Sequence, residues 1–521
     1  MQSPATSPPD AASPAPPAPQ TAPAPAVRWA VALAILFAGW ALIALARYTA
    51  PPDLLDNDQW LTASYTVDIA ANGEWIAQRD PFGRPATKPP LHPWLAAAIS
   101  APAGRVTWLT AGLPAALATL ATALLAGCAA RRWFGPAAGL FAGAATLASP
   151  VAVKHLWLVR PDAVFMLAVF VGALLTWRAW DRGRGWLWVW LAAAVVTLAK
   201  TPFGIPLMFA GLLAAPLTRA PKPEAPAHST PPRRFDTLGH LVGFSLFVLI
   251  VAGWFLAARW RLGDAFTQTA LGDELTRHAL GARSDEYLGK GFLRAPWYLL
   301  ARLAPWSALA CVAMWRLWAS PAADLRTRRL ERFLFCAVVG GLLVVCFASR
   351  PRAEHILPFA PFIAILAARE VAAWPLLATR RRALTACAAA LAVAAGAAVG
   401  QYHIERRDHP HVVTGRALSA IGDELRPLVQ AGAAFVDVDA PYALQFAIGT
   451  MQVHGTPEDA AALLAGEGPA LAFASAASTG EIGAMTAQAP AEIARWPTQG
   501  EPVVVVLANP AAVRLRTIHG R

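Results

Sequence analysis

Apolar runs of roughly 16–22 residues recur along most of this chain, each long enough to cross a hydrocarbon core about 30 Å thick. A soluble chain of this length would alternate amphipathic helices with turns instead. The composition agrees. Of 521 residues, 56% are hydrophobic and only 15% are charged, whereas soluble domains carry about 25% charged residues. The net charge of +12 would suit a nucleic-acid binder, but many arginines flank the apolar runs, where they act as topology signals. No nucleic-acid partner is therefore expected; the expected surroundings are membrane lipids.

About eleven crossings are expected, near 28–47, 106–130, 136–153, 163–180, 186–199, 204–217, 238–258, 297–318, 333–348, 355–373 and 384–400. Dense basic clusters mark the inside loops: Arg131-Arg132; Arg178, Arg182 and Arg184; the linker 218–236; Arg326 to Arg332; and Arg380-Arg381-Arg382. The N-terminus is then cytoplasmic. The outer side receives the loops 48–105, 154–162, 259–296 and 349–354 and the tail 401–521. Residues 1–27 form a Pro/Ala-rich stretch that cannot bury a core and reads as a disordered cytoplasmic tail. In the tail, Ala433 to Val438 and Pro502 to Leu507 read as buried strands and Asp459–Leu464 as helix, which implies a small periplasmic α/β domain. The five cysteines, Cys128, Cys311, Cys336, Cys346 and Cys387, all lie in or beside apolar segments without a CxxC pair, so they read as small helix-packing residues. The fold class is thus an all-α polytopic protein of about eleven transmembrane helices, spanning 28–400, with a C-terminal α/β domain. A cell inner membrane is the expected location.

The chemistry-bearing residues gather at the outer ends of these helices. Asp58, Lys88, Asp162, Lys200, Glu274, Arg277, Arg350 and Arg352 all fall there, and charges converging on a membrane boundary from separate loops imply one polar cavity. In the first loop, Asp58 is followed fifteen residues later by Gly73-Glu74-Trp75-Ile76, and then by Lys88-Pro89-Pro90-Leu91. This order resembles the first outer loop of the GT-C glycosyltransferases, in the protein O-mannosyltransferase and aminoarabinose-transferase branch. Further echoes follow in order: Arg160-Pro161-Asp162, Lys200-Thr201-Pro202, Glu274-Leu275-Thr276-Arg277, Pro296-Trp297-Tyr298, and Ser349-Arg350-Pro351-Arg352 with His355-Ile356-Leu357-Pro358.

The resemblance implies an inverting transferase that takes a sugar from a polyprenyl-phosphate donor on the periplasmic side. It implies that Asp58 is the base that takes the acceptor proton. Asp162 is expected as a second carboxylate positioning acceptor or sugar. Lys88, Arg350 and Arg352 are expected on the phosphate leaving group, where developing charge needs cations. Lys200, Arg277, Glu274 and His355 are further candidates for substrate binding. Arg350 and Arg352 also read as interfacial anchors, and Lys200 as a snorkelling helix-end residue. The sequence departs from the family's Asp-Glu at Asp58-Gln59 and from its Glu-Lys-Pro at Thr87-Lys88-Pro89. In aminoarabinose transferases that second Glu helps hold a metal. A divalent metal stays open, but Thr87 removes that ligand, and His92, His278 and His355 lack a metal-binding spacing. Neither the sugar nor the acceptor (protein, lipid A or glycan) is legible. The competing readings are a transporter or flippase of lipid-linked sugars, which would show repeats and midplane charges, and a membrane scaffold whose tail binds a partner.

Overall fold

The computed structural model describes residues 29–55, 58–218, 236–269, 290–347, 352–372, 374, 379–497 and 503–519. The expected N-terminal tail, the linker between 218 and 236, and the candidate residues Glu274, Arg277 and Arg350 lie outside them or mostly so. Helices dominate. The first, α1 (Trp29–Tyr48), is followed by α2 (Gln59–Asn72) and α3 (Leu91–Ser100) in the long loop after it. Then come α4 (Trp108–Phe134), α5 (Pro136–Ala148), α6 (Pro150–His155), α7 (Asp162–Arg182), α8 (Trp186–Ala199) and α9 (Gly204–Leu217). The second half adds α10 (Thr237–Leu262), α11 (Lys290–Arg302), α12 (Trp306–Ala319), α13 (Leu325–Cys346), α14 (Ala360–Val371) and α15 (Arg380–Val399).

Length and composition qualify α1, α4, α7, α10 and the helix running from Arg380 as membrane-crossing. The run expected at 297–318 is instead broken. Residues Gly291–Arg302 and Trp306–Ala319 meet at 110° and count as one span only as a bent pair. Pro305 stands in the break, where proline supplies no backbone N–H to continue a helix. The runs expected at 136–153, 186–199 and 204–217 appear as shorter apolar helices. At the first of these, Ser149 and Pro150 end α5 and start α6. Sequence hydropathy did not register such breaks because the residues flanking them stay apolar.

Small residues let the helices approach. A Cβ added at Gly139 on α5 would stand 2.8 Å from the carbonyl oxygen of Gly127 on α4. This is the close backbone contact that small residues permit between membrane helices. Gly139→Val is expected to force the pair apart at a cost of about 1–3 kcal/mol, read as a lowered thermal midpoint of the purified protein. Trp40 on α1 ties into the same layer by donating from Nε1 to the Ala116 carbonyl at 2.9 Å.

After α15 the chain forms α16 (Pro410–Gln430) and a four-stranded sheet of β1 (Ala434–Asp437), β2 (Ala470–Ala474), β3 (Ala491–Trp496) and β4 (Val504–Ala508) in the order β1-β2-β4-β3. The β1–β2 pair is parallel, and β4 is antiparallel to both β2 and β3. Helices α17 (Ala443–Ile448) and α18 (Pro457–Leu464) lie between β1 and β2, α19 (Ala476–Met485) follows β2, and α20 (Pro510–His519) follows β4. Strands β2 and β4 are buried at every residue, which fits their continuous apolar sequences.

This sheet is not a separate bead on the chain. Leu54, Ala63 and Val67 from the loop after α1 share one apolar core with Leu418, Phe435, Tyr442 and Phe473. Polar contacts reinforce the seam. Asn72 donates to the Met451 carbonyl (3.0 Å), the His454 amide donates to the Pro81 carbonyl (2.7 Å), and the His454 ring stacks on Phe82 at 5.0 Å.

Asp437 closes β1 with a buried carboxylate, which accepts from the Ala440 amide (2.9 Å) and from Gln445 Nε2 (2.7 Å). Burial pushes its pKa up to about 6, partly opposed by nearby His454. The folded state therefore holds a proton that the unfolded state has released between pH 3.8 and about 6. Stability from this group is fully present below that window and is lost as pH rises through it, by roughly 3 kcal/mol. Asp437→Asn is expected to flatten this slope. The readout is hydrogen-exchange protection of β1 and β2 amides at pH 4.5 and 7, compared with the unsubstituted protein.

Candidate active site

The loop after α1 presents Asp58 in an unusual way. Its backbone is left-handed, at φ 58° and ψ 22°, and it is the one non-glycine residue with positive φ among those described. It occupies the N-cap position of α2, yet its side chain accepts no capping hydrogen bond. A carboxylate there ordinarily satisfies the first free amides of the helix. Here the left-handed turn leaves it outside that role, and strain of this kind clusters at functional sites.

Gln59 explains how the turn is held. It is fully buried, donates from Nε2 to the Asp53 carbonyl (2.6 Å) and accepts from the Val159 amide through Oε1 (2.9 Å). An amide side chain offers both a donor and an acceptor, whereas an ionised Glu of the same length only accepts. That accounts for Gln59 where the sequence comparison led one to expect Glu. The same contact draws the loop against the residue preceding Arg160.

A chain of alternating charges follows. Asp58 Oδ2 lies 3.7 Å from Arg352 Nη1, which is also 3.7 Å from Glu354 Oε1. Glu354 Oε1 is 3.4 Å from Arg160 Nη2, and Arg160 Nε is 3.1 Å from Asp162 Oδ2. Lys200 Nζ donates to Asp162 Oδ1 at 2.6 Å, and His155 Nδ1 stands 3.9 Å from Asp162 Oδ2. Exposure falls along this chain. The Asp58 and Arg352 side chains are 47% and 52% exposed, Glu354 12%, and Asp162 2%. The outer end is open to a ligand and the inner end is enclosed.

Four sequence candidates, Asp58, Arg352, Asp162 and Lys200, thus meet in one cluster. Two of them are engaged by neighbours. Asp162 is enclosed, with its oxygens turned to Arg160 and Lys200. Lys200 is correspondingly engaged. His355 uses Nδ1 to accept from the Arg352 amide (3.4 Å), folding the turn that carries Arg352. Lys88 is half-buried in the turn before α3.

Glu354 and His155 were missed as site residues, and Arg160 was seen only as a motif companion. The signal for Glu354 was present, an acid between Arg352 and His355, but nothing local marks it as the bridge to Arg160. His92 is buried, with Nε2 3.2 Å from the Ala111 carbonyl, a packing role. Among the described residues no three of His, Cys, Asp and Glu converge to hold a metal ion. The cluster's carboxylates already face cations, and Thr87 stands at the missing Glu, so the residues do not fit a metal held in the aminoarabinose-transferase manner.

Comparison with known proteins agrees with this architecture. Residues 87–224, about a quarter of the chain, match the family described as dolichyl-phosphate-mannose-protein mannosyltransferase. No curated protein matches the sequence. Among solved structures, ArnT from Cupriavidus metallidurans, determined bound to undecaprenyl phosphate and in the apo state, superposes with a TM-score of 0.66 in each case. The identity is 17%, over 93% of this chain and 98% of ArnT. The oligosaccharyltransferase AglB from Archaeoglobus fulgidus, in complex with an inhibitory peptide and a dolichol-phosphate, aligns at a TM-score of 0.43 and 10% identity, over 85% of this chain and 69% of AglB. The chain therefore has the GT-C fold in the form seen in ArnT, and the family match covers Arg160, Asp162 and Lys200 of the charge cluster but not Asp58, Arg352 or Glu354.

Proposed function

We propose that the protein is a membrane glycosyltransferase that moves a sugar from a polyprenyl-phosphate donor to an acceptor hydroxyl. The observation that carries this reading is the open end of the charge chain. A carboxylate freed from helix capping sits 3.7 Å from a half-exposed guanidinium, at the mouth of a buried ionic cluster, on the fold of ArnT. The ArnT structure bound to undecaprenyl phosphate supports a donor of that chemical class.

In the proposed reaction the acceptor oxygen attacks the anomeric carbon as Asp58 takes its proton. The anomeric C–O bond breaks, and the electron pair leaves with the polyprenyl phosphate. Arg352 is placed to meet the phosphate oxygens, and its planar fork suits them. Glu354, Arg160, Asp162 and Lys200 fix Arg352 from behind. Lys88 and Arg350 are proposed as further phosphate contacts, with Glu274 and Arg277 at the donor as well. Attack opposite the leaving group makes the reaction inverting. The site faces the periplasm in an inner-membrane protein with a cytoplasmic N-terminus.

The test supplies purified protein with radiolabelled polyprenyl-phosphate sugars, hexose and pentose in turn, and with envelope fractions as acceptors. Labelled acceptor and free polyprenyl phosphate should form together. Arg352→Gln is expected to slow transfer by about 10²-fold, the scale of losing one donor to developing charge. Folded protein that releases no polyprenyl phosphate from any donor would refute the reading.

A further inference from the structure

At the opposite end of α7 lies a second basic site, which the proposed transfer reaction does not use. The helix starts at Asp162 and runs 21 residues to Arg182, a rise of about 30 Å. Its far end therefore reaches the other membrane boundary from the charge cluster. A recess of about 590 Å³ opens there, lined by Arg178, Arg182, Arg184, Leu175, Trp188 and Asp236. Arg178 and Arg182 are four residues apart on one helix face, and Arg184 follows in the turn before α8.

The nearby acids are committed elsewhere. Asp236 accepts from the amides of Gly185 (2.8 Å), Trp186 (3.2 Å) and Gly239 (3.1 Å). These hydrogen bonds, that from Gly185 foremost, hold its carboxyl below the ordinary value. Asp181 faces Arg326 at 2.7 Å. Among the described residues no carboxylate pairs with Arg178, Arg182 or Arg184, and all three are exposed. Three exposed guanidinium groups thus line a recess whose one carboxylate among the described residues, Asp236, is engaged by backbone amides.

The recess also borders apolar surface. Trp188 is 60% exposed, and Leu238 and Leu241, on the first turns of α10, are 73% and 63% exposed. Helix α10 packs along α8, so this apolar face continues from the recess toward the bilayer.

We infer that this recess binds the phosphate headgroup of an anionic glycerophospholipid in the leaflet opposite the Asp58 site, with the acyl chains lying over the α8–α10 face. Arginine forks match phosphate oxygens, basic pockets between membrane helices select such headgroups, and the adjoining apolar face favours a lipid over a free anion.

The test is native mass spectrometry of the full chain released from nanodiscs that contain phosphatidylcholine with either phosphatidylglycerol or cardiolipin. The unsubstituted protein should retain the anionic lipid. Retention should fall about 100-fold in R178Q/R182Q/R184Q and about 5-fold in R184Q alone, at roughly 1 kcal/mol per arginine. Arg184 is an exposed turn residue, so its single substitution carries the test if the triple variant does not fold. R381Q/R382Q, at another basic cluster, should retain lipid normally. Equal retention in R184Q and the unsubstituted protein would overturn the inference. So would an equal loss in R381Q/R382Q, or displacement of the lipid by inorganic phosphate alone.

Discussion

Asp58→Asn is expected to remove transfer by about 10²–10⁴-fold, the range for loss of a positioned general base, while the protein stays folded. Asn has nearly the shape of Asp and tolerates the left-handed backbone, which Asp58 adopts at φ 58°. The carboxylate caps nothing, and its ion-pair partner among the described residues, Arg352, is half-exposed. An exposed pair of this kind contributes about 0–1 kcal/mol. The expected signature is a collapsed kcat with donor KM and thermal midpoint almost unchanged. Asp58→Gly sharpens the point. Glycine relieves the left-handed backbone, worth about 1 kcal/mol, so this variant should be equally inactive and no less stable.

Asp162→Ala should behave in the opposite way. Its side chain is 2% exposed and faces Lys200 at 2.6 Å and Arg160 at 3.1 Å. Removing it leaves two enclosed cations without their shared anion. Breaking a buried pair from one side costs about 3–5 kcal/mol, a large part of a marginal folding free energy. The thermal midpoint in detergent should drop sharply, and activity should fall with it. Asp162→Asn keeps the hydrogen-bonding shape and should lie between. Burial thus separates the two carboxylates, Asp58 half-exposed and Asp162 enclosed between cations.

That distinction marks how far the sequence could be read. The apolar runs and flanking arginines gave the helical membrane class directly, because hydrocarbon imposes its own length and charge rules on each segment. The apolar stretches around Phe435 and Val505 likewise announced strands β1 and β4. The bend at Pro305 and the Ser149-Pro150 break did not stand out, since each interrupts a helix without interrupting hydropathy.

The residues Asp58, Arg352, Asp162 and Lys200, which the structure brings together, were legible as a group because each ends an apolar helix or opens a loop. Glu354 was not, since its role depends on Arg160, 194 residues away. Nor was the contrast in exposure between Asp58 and Asp162, because burial is a property of packed helices and not of a motif. The shared core between the loop after α1 and the sheet was equally hidden. Leu54 and Phe435 belong to segments that look self-sufficient when read alone.

The most direct measurement follows the anomeric C–O bond of the donor. A polyprenyl-phosphate sugar labelled separately in the sugar and in the phosphate is supplied to the protein in sealed vesicles, with acceptor on the outer-loop side. A transferase separates the labels: sugar label appears on the acceptor, and phosphate label stays with the lipid. Both labels moving together across the bilayer, with no label on the acceptor, would contradict the account and identify a transporter of the intact lipid-linked sugar.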